Sequence, residues 1–145
     1  MNRITFILLA AIFIILNSCQ KEDDPNSQNT NIIGSWKVSE NSTTYGQQYY
    51  YVDISSDTTA SNKIIIDNFF GLGLGKSVPA TQSGQTLTIS NATIPGYIFN
   101  GTGSISSNYN SISWNYNVDD GNGPENVTAT YTRYWNIWFF IKVCG

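Results

Sequence analysis

The sequence predicts an all-β domain, an antiparallel meander closed into a barrel, and three observations predict it. Apolar and polar residues alternate along most of the chain, the period of a strand with one buried face. Clusters of Gly, Asn and Asp recur at intervals of about ten residues, the spacing of short strands joined by tight turns. Only 12% of the residues are charged. The body is instead rich in Ser, Thr, Asn, Gly and Tyr, which suit strands and turns and are poor helix formers. No window repeats apolar residues at helical spacing over three turns.

Taken in order, a first strand starting at Ile33 carries Trp36 and Val38 on one face. In the second, Tyr49 and Tyr51 lie opposite Tyr50 and Val52. Ile64-Ile65-Ile66 followed by Phe69-Phe70 reads as one strand apolar on both faces. Leu87 and Ile89 alternate with Thr86, Thr88 and Ser90; Ile112, Trp114, Tyr116 and Val118 alternate with Ser113, Asn115 and Asn117; Val127, Ala129 and Tyr131 alternate with Thr128, Thr130 and Thr132. Turn signals separate them at Gly71 to Gly75, Ser83-Gly84, Pro95-Gly96, Asn100-Gly101 and Asp119 to Gly123. The span from Ile33 to Arg133 holds about eight strands, the number that closes a small barrel. Short turns favour up-and-down pairing, and closure removes the exposed edges that invite aggregation. A β-sandwich is the alternative.

Ahead of this domain the composition changes twice. Residues 20–31 form a polar tether with no apolar residue before Ile32. Before it, Arg3 precedes an apolar run from Ile4 to Leu16, well short of the roughly 20 residues a spanning helix needs. The run ends in Leu16-Asn17-Ser18-Cys19, which resembles a bacterial lipobox. The resemblance implies that residues 1–18 are a cleaved signal peptide and that Cys19 is lipidated, with 19–31 as the lipidated tether. Gln20, Lys21, Glu22, Asp23 and Asp24 resemble the acidic export signal of Bacteroidota surface lipoproteins, which implies display at the outer face of the outer membrane. The chain carries a net charge of −3, and no basic cluster offers a surface for nucleic acid or anionic lipid. A membrane partner is therefore expected through the lipid alone, and no nucleic acid.

Gly34-Ser35-Trp36 at the start of the first strand resembles the Gly-x-Trp signature of lipocalins and the wider calycin group. In that group the tryptophan plugs the closed end of an eight-stranded barrel and a late arginine packs across it, which assigns Trp36 and Arg133 as the barrel-closing pair. The Ile65-Ile66-Asp67-Asn68-Phe69 stretch and Gly101-Thr102-Gly103 resemble the calycin-like lipoprotein domains of Bacteroidota, over residues 32–133.

The inventory of reactive side chains argues against catalysis. The chain has no histidine and two cysteines, Cys19 and Cys144, so a Cys/His zinc site is excluded and no cofactor or metal is expected. Asp119, Asp120 and Glu125 flank Asp-Asp-Gly-Asn-Gly-Pro-Glu, read as a hairpin turn in preference to a carboxylate pair for glycoside hydrolysis or a calcium loop. Gly71 to Lys76 lacks the ending and the following helix of a phosphate loop. Asp57-Thr58-Thr59 resembles a Bacteroidota O-glycosylation motif, which nominates Thr58. Among the many aromatics, most fill the interior, while Tyr49, Tyr51, Trp114 and Tyr116 are the candidate ligand contacts.

Tyr134 to Gly145 forms a separate hydrophobic tail, holding two of the four tryptophans. It reads as a further strand, a docking patch or a frame-altered end. The functional expectation is a surface-displayed, non-enzymatic binding module for a small apolar molecule, a glycan or a protein. The alternative is an accessory subunit of an envelope or glycan-uptake complex. A barrel filled by its own side chains would restrict contact to the rim.

Overall fold

The computed structural model describes residues 31–134. The proposals for the signal peptide, Cys19, the acidic stretch Gln20 to Asp24 and all of the tail beyond Tyr134 lie outside these residues.

Eight strands follow one another: β1 (Gly34–Ser42), β2 (Gly46–Ser56), β3 (Lys63–Asp67), β4 (Val78–Ser83), β5 (Thr86–Ile94), β6 (Tyr97–Ile105), β7 (Ser111–Asp119) and β8 (Pro124–Arg133). Each pairs antiparallel with the next, and β1 pairs with β8 from Trp36↔Arg133 to Ser42↔Val127. The sheet is thus a closed up-and-down barrel. A sandwich would have left β1 and β8 with unpaired edges, and the ladder between them rules it out.

Alternation decides which side chains fill the interior. On β1, Trp36, Val38 and Glu40 are buried; on β7, Ile112, Trp114, Tyr116 and Val118; on β8, Val127, Ala129 and Tyr131. Their neighbours on each strand are mostly Ser, Thr, Asn or Lys and face outward. Burying the apolar set contributes on the order of 1.5–3 kcal/mol per large side chain, the term that offsets chain entropy.

Three details depart from the pattern read along the chain. The first strand begins at Gly34, one residue after Ile33, and Gly34 opens it at φ 124°, a conformation closed to most side chains. Phe69-Phe70 does not continue the strand of isoleucines. That strand ends at Asp67, Asn68 turns left-handed (φ 60°), and Phe69–Gly71 forms a short 3-10 turn that folds both rings into the barrel mouth. Nor does Asn100-Gly101 make a turn; it lies inside β6. There the Asn100 side chain accepts from the Asn91 N–H at 2.7 Å, beside the break in register between Ile89 and Ala92 of β5. The amide that reads as a turn signal closes a bulge instead.

The two ends of the barrel differ. One end collects residues 31–33, the β2–β3, β4–β5 and β6–β7 connections and the end of β8. Trp36 and Arg133 sit there. The other collects the β1–β2, β3–β4, β5–β6 and β7–β8 turns, and forms the mouth.

Candidate functional site

The mouth is built by four turns. Tyr45 comes from β1–β2, Phe70 from the 3-10 turn, Tyr97 from the start of β6, and Asp120, Asn122 and Gly123 from β7–β8. With Thr44, Val118 and Glu125 they enclose a cavity of about 220 Å³. Phe70 forms its floor, with ring centroids 5.9 Å from Tyr45 and 6.0 Å from Tyr97. A wider groove of about 560 Å³, open to solvent, runs beside it between Thr93–Ile98 and Asp119–Gly121.

The 3-10 turn is braced from both sides. Asn68 donates through Nδ2 to the Tyr51 carbonyl (2.6 Å) and accepts from the Gly73 N–H (2.6 Å). Asp67 accepts from the Gly75 N–H (2.9 Å) and the Ser77 hydroxyl (2.7 Å). These bonds hold Phe70 at φ 59°, a region that aromatic residues rarely occupy and that costs on the order of 1–3 kcal/mol.

Below the floor, Phe69 is fully buried among Phe99 (5.1 Å), Tyr116 (5.0 Å) and Trp114 (6.2 Å). Beside this aromatic cluster lies Glu40, with no exposed surface. Its Oε2 accepts from the Tyr50 hydroxyl at 2.5 Å and from the Tyr116 hydroxyl. Burial pushes the Glu40 carboxyl above the ordinary carboxylate range; the Tyr116 and Tyr50 hydrogen bonds oppose this, and the charge on Glu125 adds to it. Burial likewise raises Tyr50, Tyr116 and Tyr131 far above the usual phenol value.

A carboxyl that holds its proton more tightly when folded makes stability fall with rising pH. The contribution is full below the unfolded-state pKa and is lost as pH rises through the raised folded value. Glu40→Gln is therefore expected to remove this fall, measured as the difference between wild-type and variant melting temperatures from pH 4 to pH 8. Asp57 and Glu125 slope the other way in both proteins, because their carboxyls are held below the usual range. For Asp57 the Thr59 hydroxyl and N–H do this. At Glu125 desolvation pushes upward, and hydrogen bonds from Thr44, Thr43 and Ser42 together outweigh it. Parallel pH profiles for the two proteins would mean that Glu40 carries the same proton load folded and unfolded.

The nominated ligand contacts do not share a surface. Trp114 and Tyr116 are 3% and 0% exposed and belong to the interior. Tyr49 and Tyr51 are 68% and 52% exposed and stand on the outer face of β2, with Tyr51 edge-on to Tyr134 at 5.0 Å. Period-2 alternation requires this separation. Arg133 places its guanidinium carbon 4.3 Å from the Trp36 ring centroid at the closed end and donates to the carbonyls of Ile33 (2.6 Å) and Asn31 (2.5 Å).

The turn carboxylates are occupied locally. Asp119 accepts from the Gly121 N–H (2.8 Å) and Asp120 from the Asn122 N–H (3.0 Å). Glu125 accepts from the hydroxyls of Ser42 (2.9 Å), Thr43 (2.8 Å) and Thr44 (2.5 Å), which ties β8 to the β1–β2 turn. Thr58 is exposed in the β2–β3 turn, next to an Asp57 that bonds Thr59. Gly71 to Lys76 is the loop after the 3-10 turn.

Glu40 is the functional candidate that sequence reading missed. Its signal was available: it stands in phase with Trp36 and Val38, so the same alternation that buries them buries a carboxyl.

No family model matches the chain, and no curated protein matches it. Solved structures do resemble it. A redesigned beta barrel, b11L5F_LGL, is 13% identical with a TM-score of 0.52, over 72% of this chain and 92% of its own. EF1p2_mFAP2b bound to DFHBI is 16% identical with a TM-score of 0.52, over 71% and 94%. A redesigned beta barrel, mFAP1, bound to DFHBI, is 18% identical with a TM-score of 0.51, over 70% and 94%. At these identities the likeness is one of fold. The class is a closed, eight-stranded, up-and-down antiparallel barrel that fits a calycin-like architecture.

Proposed function

We propose that this chain is a non-enzymatic small-molecule binding barrel, held at the outer face of an outer membrane through a lipidated Cys19. The mouth cavity carries the reading: it is a concave site lined by Tyr45, Phe70 and Tyr97 on a rigid closed wall. Two barrels of the same fold are bound to DFHBI, which supports a ligand at this architecture. The rim carboxylates support binding over hydrolysis, since Asp119 and Asp120 each commit one oxygen to a turn N–H and Glu125 commits both to the β1–β2 turn. The lipid supplies the membrane attachment that an acidic chain lacks by itself.

The test uses the full chain expressed in a lipoprotein-processing bacterium, beside Cys19→Ala. The wild type is expected in the membrane fraction and Cys19→Ala in the soluble fraction. Both are expected to bind DFHBI or 1-aminoanthracene saturably, with equal affinity, by fluorescence titration. Absence of saturable binding of either probe overturns the binding reading. A soluble wild type overturns the anchor.

A further inference from the structure

Two buried polar atoms of the interior, Glu40 Oε1 and Trp114 Nε1, lack a hydrogen-bond partner among the described residues, and beside them the buried Tyr131 hydroxyl has the Tyr50 hydroxyl as its neighbour. Glu40, Trp114 and Tyr131 lie on the inward faces of three adjacent strands. Glu40 and Trp114 are both in register with Ala129, from either side, and Tyr131 is the next inward position of β8. Glu40 is the one charged residue fully buried among those described. Leaving such atoms unpaired forfeits the solvation they had in water, which an apolar side chain would have avoided.

Directly above stands the Phe69–Phe70 turn. Phe69 packs against Trp114 and Tyr116, whose hydroxyl bonds Glu40, and Phe70 separates this cluster from the mouth cavity. Both rings hang on a backbone with left-handed φ at Asn68 and Phe70. The side chains therefore occupy, from within the chain, the space between an open mouth and a set of unpaired donors and acceptors. At about 220 Å³ the mouth alone is smaller than the roughly 300–1,000 Å³ of ordinary ligand sites.

We propose that the Phe69–Phe70 turn is a displaceable plug, and that the site beneath it takes a small aromatic molecule bearing a hydroxyl group. The inference rests on the small-molecule reading above and specifies its ligand. A hydroxyl is both donor and acceptor, so it complements this set in either state of Glu40. It donates to an ionised Oε1 and accepts from Tyr131 or Trp114, or it accepts from a protonated Oε1 and donates to the Tyr131 oxygen. The ligand's ring replaces the phenylalanine rings against Phe99, Tyr116 and Trp114. A buried water would satisfy the same atoms but would leave the ring space to the plug.

The full chain is titrated with 2-naphthol and with naphthalene, which differ in the hydroxyl alone. In the wild type 2-naphthol is expected to bind about tenfold tighter, a difference of about 1.4 kcal/mol. Tyr131→Phe removes the buried hydroxyl beside Glu40 and keeps the ring, and is expected to reduce that preference severalfold; Glu40→Leu is expected to abolish it. Phe70→Ala is expected to tighten both probes about tenfold by weakening the plug, with Phe70→Leu as the milder variant should the first fail to fold. Equal binding of the two probes in wild type and Phe70→Ala overturns the polar anchor and leaves the barrel reading standing. Affinities unchanged by both Phe70 variants overturn the plug. Binding of 1-aminoanthracene without either naphthalene probe overturns the interior site and moves the ligand to the rim. Absence of all three overturns the barrel reading itself.

Discussion

Gly101→Ala is expected to cost about 3 kcal/mol or more, lowering the melting temperature by roughly 15 °C in a domain of this size. Gly101 on β6 pairs with Tyr116 on β7. A Cβ at this position would sit 2.2 Å from the Tyr116 Cβ, 2.5 Å from its Cα and 2.6 Å from the Asn115 carbonyl oxygen. Two of these atoms are backbone, so no rotamer change relieves the clash and the two strands must part. Tyr116 would then lose its position against Phe69 and its hydrogen bond to Glu40. Gly103→Ala is the matched control. Its Cβ meets Trp114 ring atoms at 2.9 Å, and a ring can move where a strand cannot. About 1–2 kcal/mol is expected there. Thermal unfolding followed by circular dichroism compares the two; equal losses would mean that the β6–β7 approach is looser than the structure has it.

Trp36→Ala is expected to cost about 3–5 kcal/mol, the range for removing a large buried ring. Trp36 has no exposed surface, its indole N–H donates to the Ile32 carbonyl at 3.0 Å, and Arg133 lies over its ring. The Arg133–ring interaction accounts for roughly 0.5–2 kcal/mol, and the remainder is lost packing. Without the ring, the guanidinium that ties residues 31 and 33 to the end of β8 loses its base. Trp36→Phe keeps a ring and gives up the N–H donor, so a smaller loss is expected. Urea unfolding of the two variants tests the order. Equal destabilisation by Ala and Phe would assign the loss to the N–H bond and not to the ring.

The barrel could be read from the chain because period-2 alternation is local information: each inward residue of β7 and β8 identifies itself by its neighbours. The same rule separated Tyr49 and Tyr51 from Tyr50 and Val52. The rule failed where a side chain acts on distant backbone. Asn100 reads as a turn residue but closes a bulge on β5, nine residues away. Phe69 and Phe70 read as more of an apolar strand, because nothing local announces that Asn68 will reverse the backbone and that Tyr51 and Gly73 will hold it there.

The candidate site followed the same division. Alternation alone would have put Glu40 inside, yet its meaning depends on partners from other strands. Tyr50 lies 10 residues away and Tyr116 lies 76. Whether those hydroxyls meet one carboxylate oxygen and leave the other unpaired is a matter of register, strand tilt and ring closure. Composition and pattern therefore determined the class of fold, the inward set and the absence of histidine chemistry. The plug in the mouth and the unpaired polar atoms beneath it were decided by tertiary structure, because both arise from contacts between strands that the linear order keeps apart.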